Sequence, residues 1–136
     1  MKLRLDFNLI FLSILFFSLF FLIVSESKPK SLMPGDEEYL VAVDKMPAPI
    51  GGIEGIMRKI TYPATAQRVG IQGKVYVLIY INEKGEVDDV KVVKGIGAGC
   101  DEEAANTIKK TKFSPGMNNG VPVKTKFSLA ITFKLS

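Results

Sequence analysis

One apolar run constrains this chain more than any other feature. Phe7 to Val24 is 18 residues long, carries no charge, and has only Asn8, Ser13 and Ser18 as polar side chains. A helix of that length just reaches across the hydrocarbon core of a bilayer. A core helix would not be hydrophobic on every face in so short a chain. The globular fold must therefore be built from the residues after Val24. Two readings of the run stay open. Its length fits an uncleaved anchor. A cleaved signal peptide usually has a shorter apolar stretch, roughly 7–15 residues, and then a small-x-small site. Ser25-Glu26-Ser27 supplies such a site weakly. Lys2 and Arg4 precede the run and Lys28 and Lys30 come after it, so flanking charge orients it little. Either reading translocates the rest of the chain.

This division sets the expected organisation: a membrane segment over residues 1–24, a tether over 25–49, and one domain over 50–136. Pro29, Pro34, Pro47 and Pro49 break any long helix in the tether. Fully extended, the tether reaches about 80 Å. Tyr39 to Val43 has the composition of a short extended strand.

Composition removes several chemistries. The 136 residues include no His and one Cys. Ser-His-Asp and Cys-His nucleophile pairs are excluded, as are ordinary structural zinc sites and an internal disulfide. The net charge is +4, and residues 31–136 hold 14 basic and 12 acidic side chains. That balance, with no Trp to stack bases, argues against a nucleic-acid surface. No metal site or cofactor is expected, and an enzyme is disfavoured.

Periodicity then places the elements. Ile53, Ile56, Met57 and Ile60 recur at helical spacing. Pro63 suits the first position of a second short helix, Ala64 to Val69, which Gly70 is placed to end. Lys74 to Ile81 is β-branched and aromatic on both faces and reads as a central strand. Asn82 to Gly85 is a hairpin turn. Val87 to Lys94 returns, with Val90 and Val92 on one face and several charges. A helix runs from about Asp101 to Lys110, with Asp101 placed to cap it. Phe113 to Gly116 and Asn118 to Gly120 read as turns. Val123 to Leu135 alternates strictly: Phe127, Leu129, Ile131, Phe133 and Leu135 point one way, and Lys124, Lys126, Ser128, Ala130, Thr132 and Lys134 the other. Pairing the last strand beside the first keeps the sheet antiparallel and gives the strand order 2-1-3. The expected fold is α+β: a three-stranded antiparallel sheet with two helices on one face, plus an N-terminal transmembrane helix. The last strand is then an edge with a row of unpaired backbone groups.

Most polar or reactive residues have a structural explanation. Gly95-Ile-Gly-Ala-Gly99 lies between a strand and a helix, but the strand belongs to a hairpin and Cys100 stands where a dinucleotide loop has its last glycine. A flexible connection is the better reading. Asp88 and Asp89 are adjacent on a strand and face opposite ways, so they do not act together. Cys100 reads as a small buried residue at a helix start. Tyr76, Leu78 and Tyr80 lie on the face away from the helices. Cover by the tether and a partner surface explain them equally well.

The ordered set of Tyr62-Pro63, Gly70-Ile-Gln-Gly-Lys-Val75, the Gly85 hairpin, Asp101-Glu-Glu-Ala104, Lys112-Phe-Ser-Pro-Gly116, Gly120-Val-Pro-Val123 and a final alternating strand resembles the TonB C-terminal domain family over about residues 47–136. The resemblance implies an energy transducer in the inner membrane, single-pass, with its C-terminal domain in the periplasm and ExbB and ExbD as membrane partners. It implies that TonB-dependent outer-membrane receptors for nutrients such as siderophores and cobalamin present a short extended segment, the TonB box, which adds as a strand. The family's pairing strand matches Val123 to Phe133, making Val123, Thr125, Phe127, Ser128, Leu129, Ala130, Ile131 and Phe133 the expected partner-binding positions. The family's Tyr-Pro region matches Tyr62 and Pro63, with Gln67 and Arg68 nearby. A homodimer is left open. The chain departs from well-known members in having no His in the anchor and no long Pro-rich spacer. The alternative reading is a secreted periplasmic binding module of the same fold without energy coupling.

Overall fold

The computed structural model describes residues 38–136. The expected membrane segment and the tether up to residue 37 lie outside the described residues. Among the described residues no helix is long and apolar enough to cross a membrane. The elements in chain order are β1 (Ala48–Pro49), α1 (Gly52–Lys59), α2 (Ala64–Val69), β2 (Gly73–Ile81), β3 (Val87–Lys94), α3 (Cys100–Lys109), β4 (Phe113–Ser114), β5 (Gly116–Asn118), β6 (Val121–Val123) and β7 (Thr125–Phe133).

The main sheet is three-stranded and antiparallel in the order β3-β2-β7. That is the 2-1-3 order expected from the sequence. The central strand is the one apolar on both faces, because only a central strand has both faces and both edges covered. Val75, Val77, Ile79 and Ile81 of β2 are fully buried on the inner face. They pack with Ile56 of α1, Ala66 of α2, Cys100, Ala104 and Ile108 of α3, and Ile131 and Phe133 of β7. Three helical segments, rather than two, contribute to this core. The third is the six-residue α2.

Local chemistry explains most boundaries, with some differences from expectation. Gly70 ends α2 with φ 72°. Pro63 stands just outside that helix as an extended N-cap, with ψ 133°, rather than inside its first turn. Gly85 turns the β2–β3 hairpin at φ 79° and lies so close to the Phe113 carbonyl that a Cβ there would collide with its oxygen. Glycine is thus needed at that position for conformation and for space.

Asp101 does not cap α3. Gly99 is the N-cap, at φ 87°. The Asp101 carboxylate instead accepts hydrogen bonds from the Ile96 N–H at 2.8 Å and the Gly97 N–H at 3.2 Å. The glycine segment expected to be a flexible connection is therefore folded around a carboxylate. Of the two expected turns after α3, the first contains the short strand β4, and the second turns as expected, between two further short strands. β4 pairs with β1, and β5 pairs with β6 around Asn119-Gly120, both at positive φ. The last long strand consequently begins at Thr125, and Val123 belongs to the preceding hairpin.

Residues 38–50 are attached to the domain by backbone hydrogen bonds. Leu40 bonds to Lys124 and Lys126, Lys45 to Met117, and Ile50 to Lys112. β1 lies within this stretch.

Candidate strand-addition edge

β7 pairs with β2 over nine residues, from Thr125↔Ile81 to Phe133↔Gly73, without a register shift. The β2–β3 pairing has irregularities at Tyr76/Val77 and at Tyr80/Ile81. Bulges and charged side chains are the usual means of blunting an edge. β3 has both, since Asp88, Asp89, Lys91 and Lys94 lie along it. β7 is the regular edge.

The hydrogen bonds fix which way each β7 backbone group points. The Lys126 N–H donates outward, away from β2, to the Leu40 carbonyl at 2.9 Å. Antiparallel pairing alternates inward and outward residues. Ser128, Ala130 and Thr132 therefore also direct their N–H and C=O groups outward. Thr125, Phe127, Leu129, Ile131 and Phe133 direct theirs to β2. Among the described residues no strand pairs with the outward edge from Ser128 to Thr132. That stretch offers three outward-facing residues as a template.

The start of the edge is occupied. Leu40 forms a single parallel bridge with Thr125. Its N–H donates to the Lys124 carbonyl at 2.9 Å, and its carbonyl accepts from Lys126. Glu38 and Tyr39 hold this contact from the outer face. The Lys124 ammonium lies 2.6 Å from the Glu38 carboxylate. Tyr39 sits edge-on to Tyr80 at 5.1 Å between ring centroids, and its hydroxyl donates to Asp88 at 2.6 Å. Burial, reinforced by the Asp88 carboxylate, pushes the Tyr39 hydroxyl pKa well above its ordinary value. The hydrogen bond to Glu38 holds the Lys124 ammonium pKa above its ordinary value. Tyr80 is only 4% exposed under this cover, whereas Tyr76 is 39% exposed. The tether thus covers the Tyr80 end of the outer face, and the Tyr76 end is open.

The Tyr62 group sits at the far end of β7. Tyr62 lies edge-on to Phe133 at 5.5 Å, and its hydroxyl donates to the Ile71 carbonyl. Burial raises its pKa. The Thr61 N–H donates to Glu103 at 2.8 Å, tying this corner to α3. Gln67 donates to the Tyr62 carbonyl at 3.2 Å. Pro63 backs onto Gly99, where an added Cβ would lie 3.3 Å from the proline ring. Arg68 is exposed in the last turn of α2. The structure therefore brings Tyr62, Gln67 and Phe133 together. It turns Pro63 toward α3, and Val123 pairs with Gly116 instead of standing on the edge. Thr125, Phe127, Leu129, Ile131 and Phe133 form the inner face, and Ser128 and Ala130 the outward edge. Leu40, Lys124 and Lys126 were absent from the expected site. The extended composition of Tyr39 to Val43 was the signal for Leu40.

The family model for the Gram-negative bacterial TonB protein C-terminal matches residues 58–135, more than half of the chain. Protein TonB of Vibrio cholerae is 35% identical over 75 residues, covering 54% of this chain and 31% of that protein. Protein TonB of Pseudomonas aeruginosa is 32% identical over 75 residues, covering 54% and 22%. The chain thus spans less than a third of the length of these curated relatives. The solution structure of the Pseudomonas aeruginosa TonB C-terminal domain superposes with a TM-score of 0.47 at 31% identity, over 56% of this chain and 78% of that one. A Helicobacter pylori TonB C-terminal domain superposes with a TM-score of 0.43 at 31% identity, over 61% and 90%. With the family model matching residues 58–135, more than half of its length, the chain belongs to the TonB C-terminal family.

Proposed function

We propose that this chain is a TonB-like energy transducer. In this reading residues 7–24 anchor it in the inner membrane beside ExbB and ExbD, and the domain faces the periplasm. The outward edge of β7 takes up an extended segment, the TonB box, of outer-membrane receptors for siderophore- or cobalamin-type nutrients. The protein transmits force and carries out no chemistry of its own. The observation that supports this reading is the regular, outward-facing edge Ser128–Thr132 in a domain of this family. Strand addition draws its affinity from backbone hydrogen bonds, so such an edge suffices for recognition without a pocket.

The test is photo-crosslinking from Ala130 of the full chain in cells that express TonB-dependent receptors. Adducts with the receptors' periplasmic plug segments are expected. Adducts with soluble periplasmic proteins alone would replace this reading with the secreted binding module, which the Ser25-Glu26-Ser27 site favours.

A further inference from the structure

An edge that receives a partner strand should be open, yet the first part of the β7 edge is filled by the chain itself. Leu40 takes the Lys124 carbonyl and the Lys126 N–H, the two hydrogen bonds that an added strand would use there. The filling is specific. Glu38 neutralises Lys124, which also lies 5.5 Å from the Tyr39 ring centroid. Tyr39 covers Tyr80 and bonds Asp88 of β3. Three consecutive residues thus use a charge, a ring and a backbone pair: Glu38 and Leu40 grip the Lys124–Lys126 start of β7, and Tyr39 grips β2 and β3. Leu40 itself remains 40% exposed, and its neighbour Val41 is 68% exposed. The segment is held by few contacts and is therefore displaceable.

We propose that Glu38–Leu40 is a built-in competitor for the β7 edge. A partner segment pairs first with the open stretch Ser128–Thr132 and completes its pairing along Lys124 and Lys126 only by displacing Glu38–Leu40. This rests on the strand-addition reading above. The partner best suited to the second step is an extended segment that presents a carboxylate to Lys124 in place of Glu38. Because the competitor is tethered, it acts at the high effective concentration of an intramolecular ligand. Apparent partner affinity falls by the fraction of molecules in which the edge is open.

The experiment uses the full chain, isotope-labelled and solubilised in detergent, and a synthetic peptide of residues Glu38–Val43 as probe. Binding is read from backbone amide shifts along β7. The comparison is between the natural chain and the double variant Tyr39→Ala, Leu40→Pro, which loses the ring contact and the N–H donated to Lys124. The variant is expected to bind the probe about tenfold more tightly or better, with shifts extending from Lys126 to Thr132 and faster exchange of the Lys126 amide in the absence of probe. Tyr39→Phe keeps the ring and loses only the bond to Asp88, so it guards against a folding defect and should give a smaller gain in the same direction. Equal affinities at β7 in all three proteins would overturn the competitor and leave the edge reading standing. No shift along β7 in any of them would overturn both.

Discussion

At the residue scale, several positions are decided by geometry that their chemistry alone leaves ambiguous. Cys100 is the clearest. It opens α3, where a helix N-terminus favours a thiolate. Yet it is fully buried, and burial, followed by the Asp101 and Glu102 carboxylates, pushes its pKa up. It is a packing residue. Cys100→Ala is expected to cost about 1 kcal/mol of stability and to leave partner binding intact in the folded protein. Urea denaturation with a parallel binding titration measures both. Loss of binding at unchanged stability would contradict the packing role. Asp101, beside it, was legible as an acid at a helix start. Whether such an acid caps its helix or folds the preceding loop depends on the path of residues 95–99, which no local rule specifies.

At the scale of elements, β7 carries two kinds of position in alternation. Proline removes a backbone donor, so its effect depends on where that donor points. Ser128 and Thr132 share the outward parity. Ser128→Pro and Thr132→Pro are expected to weaken partner pairing while the β2–β7 ladder survives. Leu129→Pro removes a donor to β2 and is expected to cost about 3 kcal/mol or more, the scale of proline inside regular structure. Thermal unfolding and peptide affinity, measured on each variant, separate the two effects. Equal losses of fold and binding at all three positions would show that the parity is wrong. The docked segment 38–40 makes a second prediction. Tyr39 is held neutral with its pKa raised above the ordinary 10.0, and Lys124 is held charged with its pKa raised above 10.5. A raised folded pKa contributes stability that is complete below the unfolded value and lost as pH rises through the folded one. Docking should therefore be unchanged from neutral pH to about 10 and weaken above that. Fluorescence of Tyr39 and exchange of the Lys126 amide report on it. Weakening already between pH 7 and 9 would point to another group. The Lys124–Glu38 pair is exposed on the Glu38 side, so its own share is modest.

At the scale of the whole molecule, the proposed function joins an anchor to a recognition edge. The uncharged run Phe7–Val24 exceeds the usual apolar stretch of a signal peptide. Full-length protein is expected in membrane fractions and should resist carbonate extraction. Mass spectrometry of the mature N-terminus checks this, and a soluble product beginning near Lys28 would exclude the anchor. The hydrogen bonds of Leu40, Lys45 and Ile50 hold residues 38–50 on the domain.

The sequence by itself determined the main sheet. Period-two alternation marks β7, apolar side chains on both faces mark β2 as central, and the charges on β3 mark the opposite edge. These signals are strong because burial acts on every residue of a long strand, so the pattern is written many times. Only the tertiary structure decided the rest. β1, β4, β5 and β6 have two or three residues each, too few to show a period; β1 and β4 exist because each supplies hydrogen bonds to the other from far along the chain, and β5 and β6 because the Asn119-Gly120 turn folds them together. The outward parity of Ser128 and Thr132 follows from one tertiary bond, that between Lys126 and Leu40. The placement of Glu38, Tyr39 and Leu40 depends on Lys124, Asp88 and Tyr80, residues 40 or more positions away, where local propensity carries no information.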